Sequence, residues 1–510
     1  MSNNNKSMKL PLLGIGIAFG AGVGIVASLL CDFQIAFGVG LGAAAGLLIG
    51  LVFTNLLGGK NKPHNERDER FKCLIIFLCA LALCGVSLWG AWQIWFNPYR
   101  GTVSAFNPTQ DLESLLSTAQ ALEDLDYLIA RVEERHPACI KELPDNVRTA
   151  YERERAIIES SSVVSVLSLW QSAARLLASL GDAHTAVGVY YEDGMRLPLS
   201  FEWADDALIC QGGEYDGQAV IEIGGILITD LYERFLTQCS YELEAWARYS
   251  FASRLNRGEY LSFIGASSSD EVSLVLENPD NGNRVTADFV LNENLRIDAA
   301  EKPPNFDRSL NKSAGVAVFA LRQCVYDDEY KAALHEFFTE VKEQNIHSVI
   351  VDLRGNPGGN SLVAYEFIRY LPAESYLTGG SEVRQGPILW ENKPQNKKNK
   401  QLTPIFSGDV YILTGADSFS SAVDFAALIS DNKLGTVIGE VPGNMPSSYG
   451  DILRFQTPNA RLIFTVSYKY FTRPDASKHD LPLIPDVQVR AEDALDETMR
   501  QIESKNNMDK

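Results

Sequence analysis

"VIVDLRGNPGGNS" (349–361) decides how the second half of this chain is read. It opens on an apolar, β-branched run, Val349-Ile350-Val351, of the kind that forms a strand buried on both faces. The run then breaks into a glycine-rich loop. Gly358 and Gly359 allow the backbone to come close to a ligand, and their N–H groups can form an anion-binding nest at a helix start. Arg354 and Asn356 are placed to hold the loop in shape, and "LVAYEFIRYL" (362–371) continues as a helix. The same alternation surrounds it. "AGVAVFAL" (314–321) reads as a strand, "DDEYKAALHEFFTEVKEQN" (327–345) as a helix and "GDVYILT" (408–414) as a strand. "SFSSAVDFAALIS" (418–430) then turns into a helix. Alternation of this kind predicts an α/β core with a largely parallel sheet over 310–490. Ser418, Ser420 and Ser421 stand at the last strand-to-helix joint. A helix amino terminus offers unbonded N–H groups and a positive dipole end, which suits a nucleophile and an oxyanion. Serine is also a favoured helix cap, so the joint by itself leaves both readings open.

Upstream, "ALEDLDYLIARVEERHPA" (121–138) carries Leu122, Leu125, Leu128, Ile129 and Val132 on one helical face. "SSVVSVLSLWQSAARLLASLGDAHT" (161–185) reads as a second amphipathic helix stopped by Gly181. These define a helical region over 119–186. A mostly β region follows over 187–295, including "EVSLVLENPDNGNRVTADFVL" (271–291), a hairpin around Asn281-Gly282. The polar stretch 391–401 reads as a mobile surface insertion rather than a lid, and 491–510 as a polar tail.

Before residue 97 the composition changes. Apolar runs at 10–30, 33–57 and 73–96 are each long enough to cross a bilayer, which takes about 20 residues. They predict a three-helix membrane anchor over 1–97, joined to the rest by a linker over 98–118. Gly14, Gly16, Gly20, Gly22 and Gly24 in the first run face Gly38, Gly40, Gly42, Gly46 and Gly50 in the second. Small residues let helices pack closely, so the pair should form a tight hairpin, and the same faces offer a route to homo-oligomers. Lys6, Lys9 and the basic loop 58–72 place the amino terminus and that loop in the cytoplasm. Three crossings then put everything after 97 outside the cytoplasm. The net charge of -20 argues against a nucleic-acid partner. Eight cysteines show no metal-site spacing; small buried thiols are expected, with one or two disulfides open to a chain outside the cytoplasm.

"VIVDLRGNPGGNS" resembles the signature of the tail-specific, or C-terminal processing, serine peptidases, a superfamily that includes the tricorn protease core. "SFSSAVDFAALISDNKLGTVIGE" (418–440) is similar to that family's nucleophile segment, "LASLGDAHT" (177–185) to its Asp-x-His-Thr element and "LPLIPDVQV" (481–489) to its closing strand. The matches run in order from about 120 to 490. The resemblance implies a crotonase/ClpP-like catalytic core, with a PDZ-like module over 187–295 suggested by "IEIGGILITDL" (221–231). It implies a serine peptidase without metal or cofactor, acting on proteins or peptides. By the family pattern Ser420 is the nucleophile, and Gly358 or Gly359 with Ser421 forms the oxyanion hole.

One departure decides the base. The processing branch uses a lysine some twenty-five residues after the serine, where this chain has Met445 in "GEVPGNMPSSYG" (439–450). Methionine accepts no proton. The tricorn branch uses a histidine, and the matching residue is His184. An imidazole takes a proton at neutral pH without unusual tuning. It needs an acceptor on its other nitrogen. Asp480 is the expected one, with Asp475 and Asp182 as alternatives, and His479 is a rival base. The expectation is a membrane-anchored serine endopeptidase facing envelope or extracytoplasmic proteins. Its rival is a peptidase-like protein that has lost catalysis and binds ligands.

Overall fold

The structure, a computed structural model, describes residues 92–267, 270–292 and 303–508, and scattered positions before 92. The expected anchor therefore lies outside the described residues apart from isolated positions. Among the described residues no helix is long and apolar enough to cross a membrane. Gly20 and Gly42 are described, and they meet. A Cβ on either would stand 2.0 Å from the other's carbonyl oxygen, an approach only glycine permits.

The strands read from the 310–490 pattern form one sheet. Its order is Phe306–Asn311, Val316–Leu321, Ser348–Asp352, Asp409–Thr414, Thr436–Gly439 and Val487–Gln488. The first pair is antiparallel and the others are parallel. Side-chain alternation gives the sheet two buried faces. Val349, Val351, Ile412 and Val437 point to one core, where the helices Asp328–Glu343, Leu362–Ile368 and Ser421–Asp431 contribute Phe337, Phe367 and Phe425. Ile350, Tyr411, Leu413 and Ile438 point to the other, against Ala494 and Ile502.

A second sheet brings the amino-terminal region to this core. Ile463–Thr472 pairs with Tyr449–Gln456 on one side, while its ends pair with 380–383 and with Val187–Gly188. That last pairing is what carries the "GDAHT" segment across the chain. The helices Thr118–Arg135, Asp145–Glu159 and Val166–Ala178 pack around Trp170, Phe455 and Phe464. Glu154, fully buried, is held by Arg175 at 2.6 Å. The β region has the strand order Ser200–Ala204, Ala207–Gln211, Ala219–Ile223, Glu271–Glu277, Arg284–Val290. Its last two strands form the expected hairpin, and Gly282 takes φ +70° there.

Several expectations are corrected. The helix expected to start at 161 starts at Val166, because Val163–Ser165 pairs as a strand with Leu115–Ser117 and Ser165 caps the helix. The supposed mobile stretch 391–401 contains Asn396–Lys398, paired with Ser375–Leu377. Asn399 is buried there and donates to the carbonyls of Ile368 and Ala373. The supposed polar tail is the helix Ala494–Met508. Ala494, Thr498 and Ile502 recur every fourth residue, a stripe narrow enough to vanish in an average of composition. Cys139, Cys210, Cys239 and Cys324 are free and buried.

Ile502 is 2% exposed beneath the sheet. Ile502→Ala should lower the unfolding free energy by about 2–4 kcal/mol through loss of apolar contact and the cavity left behind. Arg500→Ala on the exposed face should stay within about 0.5 kcal/mol of the parent. Urea unfolding of the two variants checks this.

Candidate active site

Ser420 is the last residue before the helix Ser421–Asp431, and its backbone is strained, with φ 55° and ψ -123°. Only about a few per cent of non-glycine residues have positive φ, so the surroundings must hold it. Asn444, itself buried, does so by accepting the Ser420 N–H through Oδ1 at 2.6 Å. Its Nδ2 donates to the carbonyl of Met445 and to Ser448 Oγ. The Ser420 side chain makes no capping hydrogen bond. The hydroxyl therefore projects from the joint without serving it. Its neighbours have structural partners. Ser418 Oγ donates to the Leu353 carbonyl at 2.7 Å and accepts the Gly415 N–H, while Ser421 Oγ donates to the Gly359 carbonyl.

The glycine loop presses on Ser420. Arg354 forks onto Asp352 and reaches the Ala491 carbonyl, and Asn356 Nδ2 donates to the Leu321 carbonyl at 2.7 Å. Gly358 has φ +94°, and a Cβ there would lie 2.6 Å from Ser420 Cβ and 2.9 Å from Ser421 N. Of the two expected oxyanion glycines, Gly358 donates its N–H to Asn356 Oδ1 at 2.8 Å. The N–H groups of Gly359 and Ser421 have no acceptor among the described residues.

His184 reaches this joint by hydrogen bonds to the strand Ile463–Thr472. Thr465 Oγ1 donates to the His184 carbonyl at 2.7 Å and accepts the Ala186 N–H. The Ser467 N–H donates to Thr185 Oγ1 at 3.0 Å. The imidazole is buried and packs on Phe419 with ring centroids 4.5 Å apart, and Phe419 stacks in turn on Trp246. His184 and Ser420 line one small cavity with Ser361, Asp424, Tyr449 and Gly450. No hydrogen bond joins the two side chains, and neither ring nitrogen of His184 has a partner. Burial lowers the imidazole pKa, opposed by Asp182 and Asp451, so the ring is neutral at pH 7.

Asp182 builds the turn. It accepts the His184 N–H at 2.9 Å through Oδ1, and Thr185 Oγ1 through Oδ2. His136 Nε2 lies 3.1 Å from Oδ2. The His136 Nδ1 accepts the Ala138 N–H, so Nε2 carries the proton that is given to Asp182. Burial alone would raise the carboxyl, but His136, His184 and Thr185 overcome it and hold it at about 2. His136, which no motif singled out, is thus a fully buried partner of the site.

Asp480 is not brought to His184. Its side chain is 95% exposed, beside His479 at 3.8 Å. Asp475 caps a short turn through Ser477, and His479 lies against the Tyr470 hydroxyl. The carboxyl that does approach is Glu242, absent from every motif in the sequence. Asp182, His184 and Glu242 each offer one ligand atom, all within 4.8 Å of one another. That is metal-ligand chemistry, but both Asp182 oxygens are already committed to protein donors. Burial raises Glu242 to about 8, with the Asp182 charge adding to the effect.

A larger cavity of about 450 Å³ opens beside the joint, lined in part by Gly359, Ser361, Tyr365, Asp424, Lys469 and Phe471. Asp424 sits four positions after Ser420, and its one hydroxyl donor is Ser361 at 3.1 Å. Burial pushes its carboxyl up to about 7.

Residues 316–489 match the model described as Peptidase family S41. This segment is a domain of the tail-specific serine peptidase type, and the match supports a serine peptidase. Among solved structures it is similar to mature CPAF, with a TM-score of 0.59 at 13% identity, covering 76% of this chain and 96% of that one. Mature CPAF complexed with lactacystin matches equally, at TM-score 0.59 and 13% identity over 76% and 97% of the two chains. At this identity the likeness is one of fold. No curated protein matches the chain by sequence.

Two outcomes follow from the geometry. Gly358→Ala, which puts a methyl group 2.6 Å from Ser420 Cβ, should abolish reaction of the protein with a fluorophosphonate probe while circular dichroism stays unchanged. Asp424 concerns stability. Its folded value of about 7 lies above the ordinary carboxyl value of 3.8. The folded protein thus keeps a proton that the unfolded chain releases. The associated stability is complete below the ordinary value and is lost as pH rises through about 7. Asp424→Asn, neutral throughout, should gain on the parent by about 1.4 kcal/mol for each unit of the shift between pH 4 and 7. Urea unfolding at both ends of that range measures it.

Proposed function

We propose that the chain is a membrane-anchored endopeptidase in which Ser420 is the nucleophile and His184 the general base. The observation that carries this is Ser420 itself: a strained residue at a helix start whose hydroxyl does no capping and shares a cavity with a buried, neutral imidazole. Ser420 Oγ attacks the peptide carbonyl and passes its proton to His184. The N–H groups of Gly359 and Ser421 receive the developing oxyanion. His184 returns the proton to the leaving amine, and water then cleaves the acyl-enzyme by the same route. Catalytic hydrogen bonds are often open in an unliganded enzyme, in keeping with the absence of a direct Ser420–His184 bond. A histidine in place of the lysine puts the chain nearer the tricorn type than the processing type.

The apolar runs of 1–97 would tether the peptidase, and the positive-inside rule would place it outside the cytoplasm, where envelope proteins are its substrates. The β region over 187–295 would act in the PDZ manner and hold an extended substrate tail by strand addition.

A fluorophosphonate probe tests the core claim. Labelling should occur in the parent protein, vanish in Ser420→Ala, and fall by about 10²–10⁴-fold in His184→Ala, in proportion to a lost general base. Lactacystin, present in one of the matched CPAF structures, should compete with the probe. A folded protein that never labels is a binding protein on a peptidase fold. Removing residues 1–97 should release the protein from membranes and leave labelling intact.

A further inference from the structure

We propose that Glu242 is the positioning carboxylate of His184, binding its Nδ1–H in the reacting state and so leaving Nε2 as the atom that takes the Ser420 proton. The inference rests on the Ser420–His184 reading.

Three observations carry it. First, the two atoms that would bond are both buried and both unpartnered: Glu242 Oε1 on one side and His184 Nδ1 on the other. An unpaired buried polar atom is costly, at about 1–3 kcal/mol, and the two side chains offer ligand atoms within 4.8 Å of each other, so bringing Oε1 onto Nδ1 would satisfy both. Second, the carboxyl is anchored for this contact. Its Oε2 accepts the Met445 N–H at 2.9 Å, and the backbone of Ala183, the residue before His184, faces the carboxyl and favours its charged form. Third, the competing carboxylates are engaged elsewhere. Asp182 Oδ1 serves the His184 backbone N–H, and its nearest approach to Nδ1 is 3.9 Å. Asp451 is paired with Lys469.

The contact has a protonation requirement. A neutral Glu242 would donate its proton to Nδ1, the imidazole N–H would then sit on Nε2, and the ring could accept nothing from Ser420. A glutamate–imidazolium pair is equally unable to act as a base. Only after the pair has lost one proton does it hold the Nδ1–H tautomer that catalysis needs. The charges facing the pair favour the proton, against the Met445 and Ala183 backbone groups, which favour the carboxylate. Around His184 stand Asp182 and Asp451. Around Glu242 stand the Asp182 charge and the hydroxyls of Tyr449 and Tyr470, with His136 beyond Asp182. Burial adds to this and pushes the Glu242 carboxyl up to about 8. The base-competent form therefore accumulates as pH approaches 8, above the range in which an isolated buried histidine would lose its proton.

The test is the rate of Ser420 labelling by a fluorophosphonate probe between pH 5.5 and 9.5, on the full chain. In the parent protein the rate should climb about tenfold per pH unit and level off near pH 8. In Glu242→Gln the plateau should drop by about 10²–10⁴-fold, as for a misheld tautomer, and the limb should move below the ordinary histidine value. Half-saturation by the probe should stay within about threefold of the parent, since Glu242 does not touch it. Glu242→Asp, shorter by one methylene, should restore part of the rate and the alkaline limb. The parent profile needs no variant to fold: a limb lying at or below 6.5 overturns the assignment. So does a Glu242→Gln protein with the parent rate and limb, provided that labelling is lost in Ser420→Ala and His184→Ala. Labelling that persists in Ser420→Ala overturns the proposed function and this inference with it.

Discussion

Two threonine hydroxyls determine where the imidazole can be. Thr465 binds the carbonyl of His184 and the N–H of Ala186, and Thr185 receives the N–H of Ser467. Between them they lock a segment from the amino-terminal region onto a strand 281 positions later in the chain. Take that stitch away and the Phe419 ring loses its imidazole neighbour, the small cavity loses one wall, and Asp182 has no turn to stabilise. The α/β sheet could still fold, because its two cores are filled by its own helices. It would then present a strained serine with no base beside it. The architecture thus separates two tasks. The parallel sheet builds Ser420 and the N–H groups proposed to receive the oxyanion, and the second sheet delivers the residue proposed to act as base.

The three buried carboxyls around this joint show how environment sorts chemically similar groups. Asp182 has an imidazole N–H, a hydroxyl and a backbone N–H, and ionises at about 2. Glu242 accepts one backbone N–H, from Met445, and Asp424 a single hydroxyl, so burial dominates and lifts them to about 8 and about 7. The donors of Asp182 outweigh its burial, whereas burial dominates the other two and the Asp182 charge lifts Glu242 further. A permanently ionised Asp182 suits a structural role, since its hydrogen bonds then persist at every working pH. A carboxyl that holds its proton near neutrality suits a group whose state is meant to change.

The sequence carried the peptidase core plainly, because a parallel sheet writes itself as buried β-branched runs between helices. Val349-Ile350-Val351 reads as two-sided burial, and the structure divides those residues between two cores. At the serine joint the residues by themselves left a cap and a nucleophile open, and only the resemblance chose Ser420; the structure adds that its side chain makes no capping hydrogen bond, an absence that sequence does not record. Glu242 was not legible at all. It lies in a loop of the β region, and its approach to His184 depends on how that region docks, through Trp246 on Phe419 and Met445 on Glu242. Asp480 failed for the opposite reason: its place in the order of the chain suited the role, but the turn that carries it faces solvent. The 494–508 helix was hidden by composition, since a few buried positions among many charged ones do not move an average, and the 396–398 strand is exposed at all three residues, with only Asn399 beside it buried.

The substitution at Met445 and the position of Glu242 belong together. In the lysine-dependent relatives that the signature resembles, the segment after the glycine-glutamate turn would supply a charged side chain to the serine. Here the same segment supplies backbone. Asn444 holds the Ser420 amide, and the Met445 N–H holds Glu242. A lysine in this place would put an ammonium group in a pocket that already contains a buried histidine and would compete with it for the carboxyl. An uncharged side chain leaves the carboxyl to the imidazole. Methionine therefore need not mark a decayed active site. On the proposed mechanism, the methionine in place of a lysine and the carboxyl beside the imidazole are two sides of a single electrostatic arrangement, in which this loop positions the chemistry instead of donating it.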